Sequence, residues 1–311
     1  MKKTTVAFLL ACSSLIWTPP TFASNSETLT LNYGVISSKA KKRIKDSYPL
    51  FSYVAKQLNH LGYSDAKINV YPTIDELVSA LQRGEVDIVS STIYPALIVK
   101  RRAQAEPFLV RWKKGEESYN SVFVTHKKNE YNDLSQLQGK VIGFEDRAST
   151  SGYFLPMVTL LSHGLEVQQL TSLQSKPDAD KVGYFFFDDM LRETNEVNMT
   201  MWTAKGMVDA IAYSSSNWNN PKDTPAALKQ QLHTFARTND YPRSIMSISH
   251  LLDPVVATQL KAILLELDQS PIGLEVLESY QETKKFSVLN NQANDLLYEA
   301  EQLLTKFDAH Q

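Results

Sequence analysis

Short apolar runs alternate with amphipathic stretches along most of the chain. Strand-like runs cover 29–36, 66–71 and 86–90, and helix-like stretches cover 48–61 and 74–83. In the second helix-like stretch, apolar residues recur at i, i+3, i+4 and i+7, which places them on one face of a helix. This stripe consists of Ile74, Leu77, Val78 and Leu81. The alternation predicts an α/β fold in which helices flank a mainly parallel sheet.

One local pattern occurs twice. A helical stretch ends at Gly84 and is followed by Val86-Asp87 and an apolar strand, and the same order returns at Gly206 and Val208-Asp209. The repetition predicts two lobes that are built alike. We expect the first part of lobe one at 24–117, lobe two at 118–236, and a return to lobe one with C-terminal helices at 237–311.

The N-terminus has the features of a secretory signal. Two lysines precede an apolar run at 6–17, which is too short for a permanent membrane helix of about 20 residues. Small residues end at Ala23, so we expect residues 1–23 to be a cleaved signal peptide and the protein to be periplasmic. In the alternative, Leu9-Leu10-Ala11-Cys12 acts as a lipobox and Cys12 carries a lipid anchor, but the apolar run continues past Cys12.

Charge and cysteine content exclude several classes of function. Loss of the two lysines in the signal leaves 30 of the 32 basic residues against 34 acidic ones. This mildly acidic balance predicts no nucleic-acid partner, which would require a dominant basic patch. Cys12 is the single cysteine, so a mature chain that begins near Ser24 has no disulfide and no cysteine-ligated metal site.

The segment 141–156 carries the candidate chemistry. A strand leads into Ser149-Thr150-Ser151-Gly152, where Ser149 is placed to cap a helix. The first amides of such a helix have no intrahelical acceptor, and its N-terminus carries partial positive charge. These donors, with the three hydroxyls, predict a site for a small oxyanion. The alternative is that Ser149 only caps the helix.

The segment 134–156 also resembles the periplasmic phosphonate-binding family, the solute receptors of ABC importers for phosphate, phosphite and phosphonates. Further similarity lies at 32–37, 84–89, 111–122 and 280–289, and so extends over nearly all of the mature chain. The resemblance implies a two-lobed type II periplasmic binding fold with the ligand in the interlobe cleft. It also implies that the oxyanion is held by Ser149, Thr150 and Ser151 of lobe two and by an aromatic hydroxyl of lobe one.

We assign that hydroxyl to Tyr94, which follows a strand; the alternative is that Tyr94 packs under the loop. Thr92, two residues earlier, is a further candidate ligand contact or a cap of the next helix. Tyr119, where the chain enters lobe two, is expected to contact the ligand or to line the hinge. Arg147 stands where the family more often has proline, and it is either a bidentate oxyanion contact or a solvated surface residue.

Two features of the sequence leave the identity of the ligand undetermined, apart from its oxyanion. Family members that bind aminoalkyl phosphonates carry a histidine in a turn of lobe two, and the comparable region here, 183–189, has none. Asp188 and Asp189 in that region are candidate amine contacts or exposed first-turn carboxylates.

The sequence contains no hydrolase elbow, Gly-rich phosphate loop or His-Glu-x-x-His motif, and we therefore expect no enzyme activity, cofactor or metal. The expected function is capture of phosphate, phosphite or a phosphonate by lobe closure, and delivery to an ABC permease in the inner membrane. The alternative is a receptor for a membrane sensor kinase. We expect a monomer in either case.

Overall fold

The computed structural model describes residues 28–172, 174–191 and 195–309. The predicted signal peptide and Cys12 lie outside these ranges. Within the described part of the chain, no helix is both long enough and apolar enough to cross a membrane.

The chain begins with alternating strands and helices, as the apolar pattern predicts. These elements are β1 (Leu29–Ile36), α1 (Ala40–Gln57), β2 (Tyr63–Tyr71), α2 (Ile74–Gln82), β3 (Ile88–Ser91), α3 (Ile93–Ala103) and β4 (Glu106–Lys113). Helix α2 shows why the boundaries fall where they do. The side chain of Thr73 caps its first turn, and Gly84 follows its end with a φ of +71°, a conformation that glycine adopts without strain.

A short strand, β5 (Ser118–Tyr119), leads into the second set of elements. The second set is β6 (Ser121–His126), β7 (Val141–Phe144), α4 (Leu155–Ser162), β8 (Glu166–Gln169), β9 (Lys181–Phe186), α5 (Phe187–Met190), α6 (Glu196–Ala204), β10 (Ala210–Ser214), α7 (Ser215–Asn219), α8 (Ala226–Lys229) and β11 (Leu232–Arg237). The chain then returns through β12 (Tyr241–Pro242), β13 (Ile245–Ile248), α9 (Pro254–Glu266), α10 (Pro271–Ser279), β14 (Thr283–Val288) and α11 (Asn291–Asp308).

The strands form two six-stranded sheets, each flanked by helices, and each sheet with its helices is called a lobe below. Lobe one has the strand order β14-β4-β13-β3-β1-β2, and lobe two has the order β11-β6-β10-β7-β9-β8. A two-stranded ribbon of β5 and β12 lies where the chain passes between the lobes, and is called the hinge ribbon.

The α/β fold class is confirmed, but parallel pairing is confined to one part of each sheet. Strands β1, β2 and β3 are parallel to one another in lobe one, as are β7, β8, β9 and β10 in lobe two. Strands β13, β14, β6 and β11 pair antiparallel with their neighbours. Each sheet is therefore mixed. Its antiparallel strands include those next to the points where the chain crosses between the lobes.

The repeated Val-Asp pattern has the same structural role in both lobes. The Asp87 carboxylate, just before β3, accepts a hydrogen bond of 2.7 Å from the backbone N–H of Asn32, within β1. The Asp209 carboxylate accepts one of 2.9 Å from the N–H of Val141, at the start of β7. In each lobe, the aspartate joins the start of its own strand to the neighbouring parallel strand.

Helix α11 packs against both lobes. Its Glu301 pairs with Lys100 of α3 at 3.0 Å, and its fully buried Phe307 packs edge-on against Phe154 of lobe two, with ring centroids 5.3 Å apart. The C-terminal helix thus adds apolar contact between the lobes on the side of α3 and α4.

Candidate functional site

The predicted site lies where strands of both lobes end. In lobe one, β1 and β3 are parallel, and β4 runs in the same direction because both β3 and β4 are antiparallel to β13. Their carboxyl ends therefore lie at one edge of the sheet. In lobe two, β7 ends at Phe144 and leads into a π-helical turn at Thr150–Phe154 that continues as α4. This turn is called the hydroxyl turn.

Ser149 caps the hydroxyl turn and is already engaged by the protein. Its Oγ accepts a hydrogen bond of 2.9 Å from the N–H of Gly152, which agrees with the capping role. The same Oγ lies 2.7 Å from Oε2 of Glu145, so a carboxyl group of the chain itself contacts the predicted oxyanion site. A Cβ added to Gly152 would come within 2.7 Å of this carboxyl group. Glycine at that position leaves the space that Glu145 needs.

Glu145 is the group that the sequence analysis missed. Burial, the neighbouring Asp146 and the more distant Glu196 and Asp188 raise the pKa of Glu145 to about 8. At neutral pH its carboxyl group is therefore mostly protonated and uncharged, so it does not repel an anion, and its Oε2 accepts a hydrogen bond from the Ser149 hydroxyl.

Thr150 joins the two lobes. Its Oγ1 donates a hydrogen bond of 2.7 Å to Oγ1 of Thr92 and accepts one of 3.0 Å from the backbone N–H of Tyr94. Thr150 is buried, with 2% of its surface exposed. A second contact between the lobes runs from Ser216 Oγ to Oε2 of Glu116, at 2.5 Å. The lobes are thus in direct polar contact.

Tyr94 has a different position from the one assigned to it. Its ring stacks on Phe154, with centroids 4.9 Å apart, and packs edge-on against Phe307 at 5.7 Å. Burial and the nearby Asp308 raise the pKa of its hydroxyl, which indicates that this hydroxyl lies towards the end of α11. Tyr94 therefore contacts the hydroxyl turn through its backbone N–H. Its ring packs against other aromatic side chains, as the alternative interpretation of the sequence predicted.

Tyr119 provides the aromatic hydroxyl beside the hydroxyl turn. The residue pairs with Tyr241 in the hinge ribbon and is 4% exposed, yet its hydroxyl makes no hydrogen bond within normal distance among the described residues. Burial raises the pKa of Tyr119, and Arg243 and the hydroxyls of Ser151 and Thr150 partly offset that rise because they lie near the phenol oxygen. Tyr119 thus lines the hinge, and its contact with a ligand stays a prediction.

A second hydroxyl is buried without a partner at the end of β3. It belongs to Ser91, the residue before Thr92, and no hydrogen-bond partner for its Oγ is found in the described part of the chain. Buried polar atoms are hydrogen-bonded in most proteins, which makes the Ser91 hydroxyl a candidate contact for a ligand.

Arg147 lies on the surface and is paired within lobe two. Its guanidinium makes two hydrogen bonds to the Asp189 carboxylate, at 2.9 and 2.8 Å, and lies over the ring of Phe186. About half of its side chain is exposed, which agrees with the solvated alternative. Because Arg147 neutralises Asp189 and lies 3.9 Å from Asp188, these carboxylates have a structural partner already.

Cations of lobe one lie near Tyr119, and the sequence analysis did not identify them as site residues. Arg111 and Lys113 lie at the end of β4, and Arg243 precedes β13 with its guanidinium carbon 4.5 Å from the centroid of the Tyr119 ring. Such positions carry no local motif, and only the sheet topology brings them together.

The two lobes are joined by a two-stranded crossing, and polar groups lie at their facing strand ends. This arrangement defines a two-lobed solute-binding protein of the type II periplasmic class. The comparisons with known proteins identify the family. Residues 33–293 match the family model described as ABC transporter, phosphonate, periplasmic substrate-binding protein. The chain belongs to this family, and it is therefore a solute-binding component of the ABC transporter type, which functions in the periplasm.

Solved structures agree with this assignment. The protein XAC2383 from Xanthomonas citri, solved with chloride, is 26% identical, with a TM-score of 0.85 over 91% of this chain and 99% of that chain. The same protein solved with ATP gives 27% identity and a TM-score of 0.84, over 90% and 98% of the two chains. PhnD1 from Prochlorococcus marinus, in complex with methylphosphonate, shares the fold, with 17% identity, a TM-score of 0.63 and coverage of 90% and 98%.

Proposed function

We propose that the protein binds a small phosphorus oxyanion, namely phosphate, phosphite or a phosphonate, between its lobes and delivers it to an ABC permease. The observation that carries this proposal is the buried hydroxyl of Tyr119, which has no hydrogen-bond partner within normal distance among the described residues and lies beside Ser151 and Thr150. Leaving a buried hydroxyl unpaired costs about 1–3 kcal/mol, and an anionic oxygen would remove that cost.

The proposed donors come from both sides of the crevice. Lobe two contributes the hydroxyl of Ser151 and the first amides of the hydroxyl turn, at Thr150 and Ser151, which have no acceptor within their own helix. The hinge ribbon contributes Tyr119, and lobe one contributes Ser91. Ser149 has a supporting role, because it holds the turn and the carboxyl group of Glu145.

Closure of the lobes follows from where these donors lie. Contacts from both lobes to one ligand form only when the lobes are together, so the ligand favours the closed form by the difference in its affinity for the two forms. The hydrogen bonds of Thr150 to Thr92 and Tyr94 would belong to that closed form. A permease would then recognise the closed surface, to which both lobes contribute.

Relatives support an anionic ligand. XAC2383 was solved with ATP and PhnD1 with methylphosphonate, and both ligands present tetrahedral phosphorus oxyanions. The family description names phosphonate transport, which favours import over a role as the input of a sensor kinase.

A melting-shift screen of phosphate, phosphite, methylphosphonate, aminoethylphosphonate, sulfate and taurine tests the proposal. A ligand present at about 100 times its Kd stabilises the folded state by about 2.7 kcal/mol, which raises the Tm of a protein of this size by roughly 5–10 °C. We expect such a shift with a phosphorus oxyanion and none with taurine.

Tyr119→Phe removes only the hydroxyl and should weaken the binding of the stabilising oxyanion by about tenfold, with an unliganded Tm that is unchanged or slightly higher. Tyr298→Phe is the matched control, because the Tyr298 side chain is exposed on α11. Equal ligand affinity in wild type and Tyr119→Phe would reject the site.

A further inference from the structure

Four cations of lobe one lie near one another, with one of them against Tyr119, and they are called the cation cluster. Arg111 and Lys113 lie two residues apart on β4 and so point to the same face of the sheet. Arg43 is in the first turn of α1, and Arg243 follows the hinge ribbon. All four are close enough for their charges to repel one another.

The protein provides few anions for this cluster. Arg111 is 4% exposed, and its partners are neutral: Thr283 Oγ1 and the carbonyl oxygen of Tyr280, both at 2.8 Å, and the Tyr280 ring at 3.7 Å. Arg243 pairs with Glu116 at 3.0 Å. Within the described ranges, no other carboxylate is at ion-pair distance from the cluster.

Lys113 is the member of the cation cluster whose charge is least compensated by the protein. Its side chain is half-buried, and its ammonium has no hydrogen bond or ion pair with any residue that the structure describes. Burial and the charges of Arg243, Arg111 and Arg43 hold the pKa of Lys113 well below its usual range. Like charges held this close repel one another, so an anion bound among them would reduce that repulsion.

The cation cluster and the hydroxyl turn are separated by one aromatic ring. The Arg243 guanidinium lies over the face of Tyr119, and the hydroxyl of the same ring lies beside Ser151. A ligand oxyanion at the hydroxyl turn therefore lies a short distance from the cluster.

We propose that the cation cluster is a second anion subsite, and that the ligand is a compact polyanion with two phosphorus oxyanions joined through a bridging atom. This inference rests on the proposed function, because it assumes the first oxyanion at the hydroxyl turn. One oxyanion lies at Ser151 and Tyr119, and the other is paired with Lys113 and Arg243. A monophosphonate fills the first subsite only.

The test compares methylenediphosphonate with methylphosphonate by isothermal titration calorimetry at physiological ionic strength. We expect the wild-type protein to bind the diphosphonate at least tenfold more tightly. One charge-assisted contact contributes about 1.5–3 kcal/mol, so Lys113→Met should weaken diphosphonate binding by about tenfold to a hundredfold. Its affinity for methylphosphonate should change less than about threefold, since that ligand does not need the cluster.

Two further variants sharpen the test. Arg43→Gln removes a second member of the cluster and should give the same selective loss. Lys114→Met is the matched control, because it removes the same charge at the exposed residue next to Lys113. We expect neither ligand to respond to Lys114→Met by more than about twofold, as exposed charges are screened by water and salt.

The possible results distinguish failure of the second subsite from failure of the proposed function. Equal affinity for the two ligands in the wild-type protein, or an unchanged diphosphonate affinity in both cluster variants, would overturn the second subsite and leave the first intact. Parallel losses for both ligands in Lys113→Met and Arg43→Gln would also overturn it, because they indicate a general structural role. Failure of the wild-type protein to bind either ligand would reject the proposed function, and the second subsite with it.

Discussion

Replacement of Glu145 by glutamine tests the electrostatics of the site most directly. Glutamine keeps the shape of the side chain and a hydrogen bond to Ser149, but it cannot ionise. Burial, together with Asp146, Glu196 and Asp188, raises the pKa of Glu145 from 4.5 in the unfolded chain to about 8 in the fold. The substitution should therefore change how stability and ligand affinity depend on pH.

The size of the effect follows from linkage. Between pH 4.5 and pH 8 the folded state holds a proton on Glu145 that the unfolded state has released, so stability falls as pH rises through this window. Each pKa unit corresponds to about 1.4 kcal/mol, and the full shift corresponds to about 5 kcal/mol. The contribution of Glu145 is complete below pH 4.5 and is lost once pH exceeds about 8.

The assay is the Tm of wild type and Glu145→Gln across pH 5 to pH 9 in the absence of ligand. The difference in Tm, variant minus wild type, should rise with pH by an amount on the order of 10 °C in total and then level off above the pKa of Glu145. Glu166→Gln, at an exposed carboxylate on β8, is the matched control and should follow the wild-type curve. Parallel curves for wild type and Glu145→Gln from pH 5 to pH 8 would refute the buried, proton-holding carboxyl group.

Ligand affinity gives a second measurement on the same pair of proteins. Above pH 8 an ionised Glu145 lies against Ser149 and should repel the bound oxyanion. The ratio of methylphosphonate affinities, variant to wild type, should therefore rise between pH 7 and pH 9, and ionisation of the ligand cancels in this ratio. A constant ratio would place the oxyanion away from Glu145.

The remaining predictions concern contacts between the lobes and close packing. Thr150→Val keeps the shape of Thr150 but removes its hydrogen bonds to Thr92 and Tyr94, so small-angle scattering should detect a more open protein and calorimetry about a tenfold lower oxyanion affinity. Gly143→Ala places a Cβ 2.4 Å from the Phe187 ring and should destabilise the fold by about 1–3 kcal/mol in urea unfolding. Phe307→Ala removes a fully buried ring that contacts both lobes and should cost about 3–5 kcal/mol in the same assay.

The sequence was most informative where local chemistry decides the structure. Helix α2 was predicted close to its observed bounds, and helices were expected in the C-terminal part, because periodicity and capping residues act within a few positions. The Val-Asp pattern correctly indicated similar lobes, since Asp87 and Asp209 make the same contact in each. The hydroxyl turn was predicted for the same reason, as Ser149 caps it through a bond three residues along the chain.

The parts that depend on tertiary contacts were not predicted. Tyr94 and Tyr119 are both tyrosines next to short strands, and only the fold decides which hydroxyl lies beside Ser151. The Tyr94 ring is held by Phe307, more than two hundred positions away along the chain. Arg111 and Arg243 come from different passes of the chain through lobe one, so no spacing in the sequence relates them.

The charges of the two lobes explain how a mildly acidic protein can hold an anion. Lobe two places Glu145, Asp146 and Asp188 behind the hydroxyl turn, and burial raises the pKa of all three, so lobe two alone would be a poor anion receptor if they ionised. The compensating cations belong to lobe one and the hinge, at Lys113 and Arg243. The proposed oxyanion would thus be attracted mainly from one side, and it would relieve repulsion among these cations when the lobes close. Binding and closure are then coupled through the same charges, so removing a cation should weaken the ligand-driven closure while stabilising the empty protein.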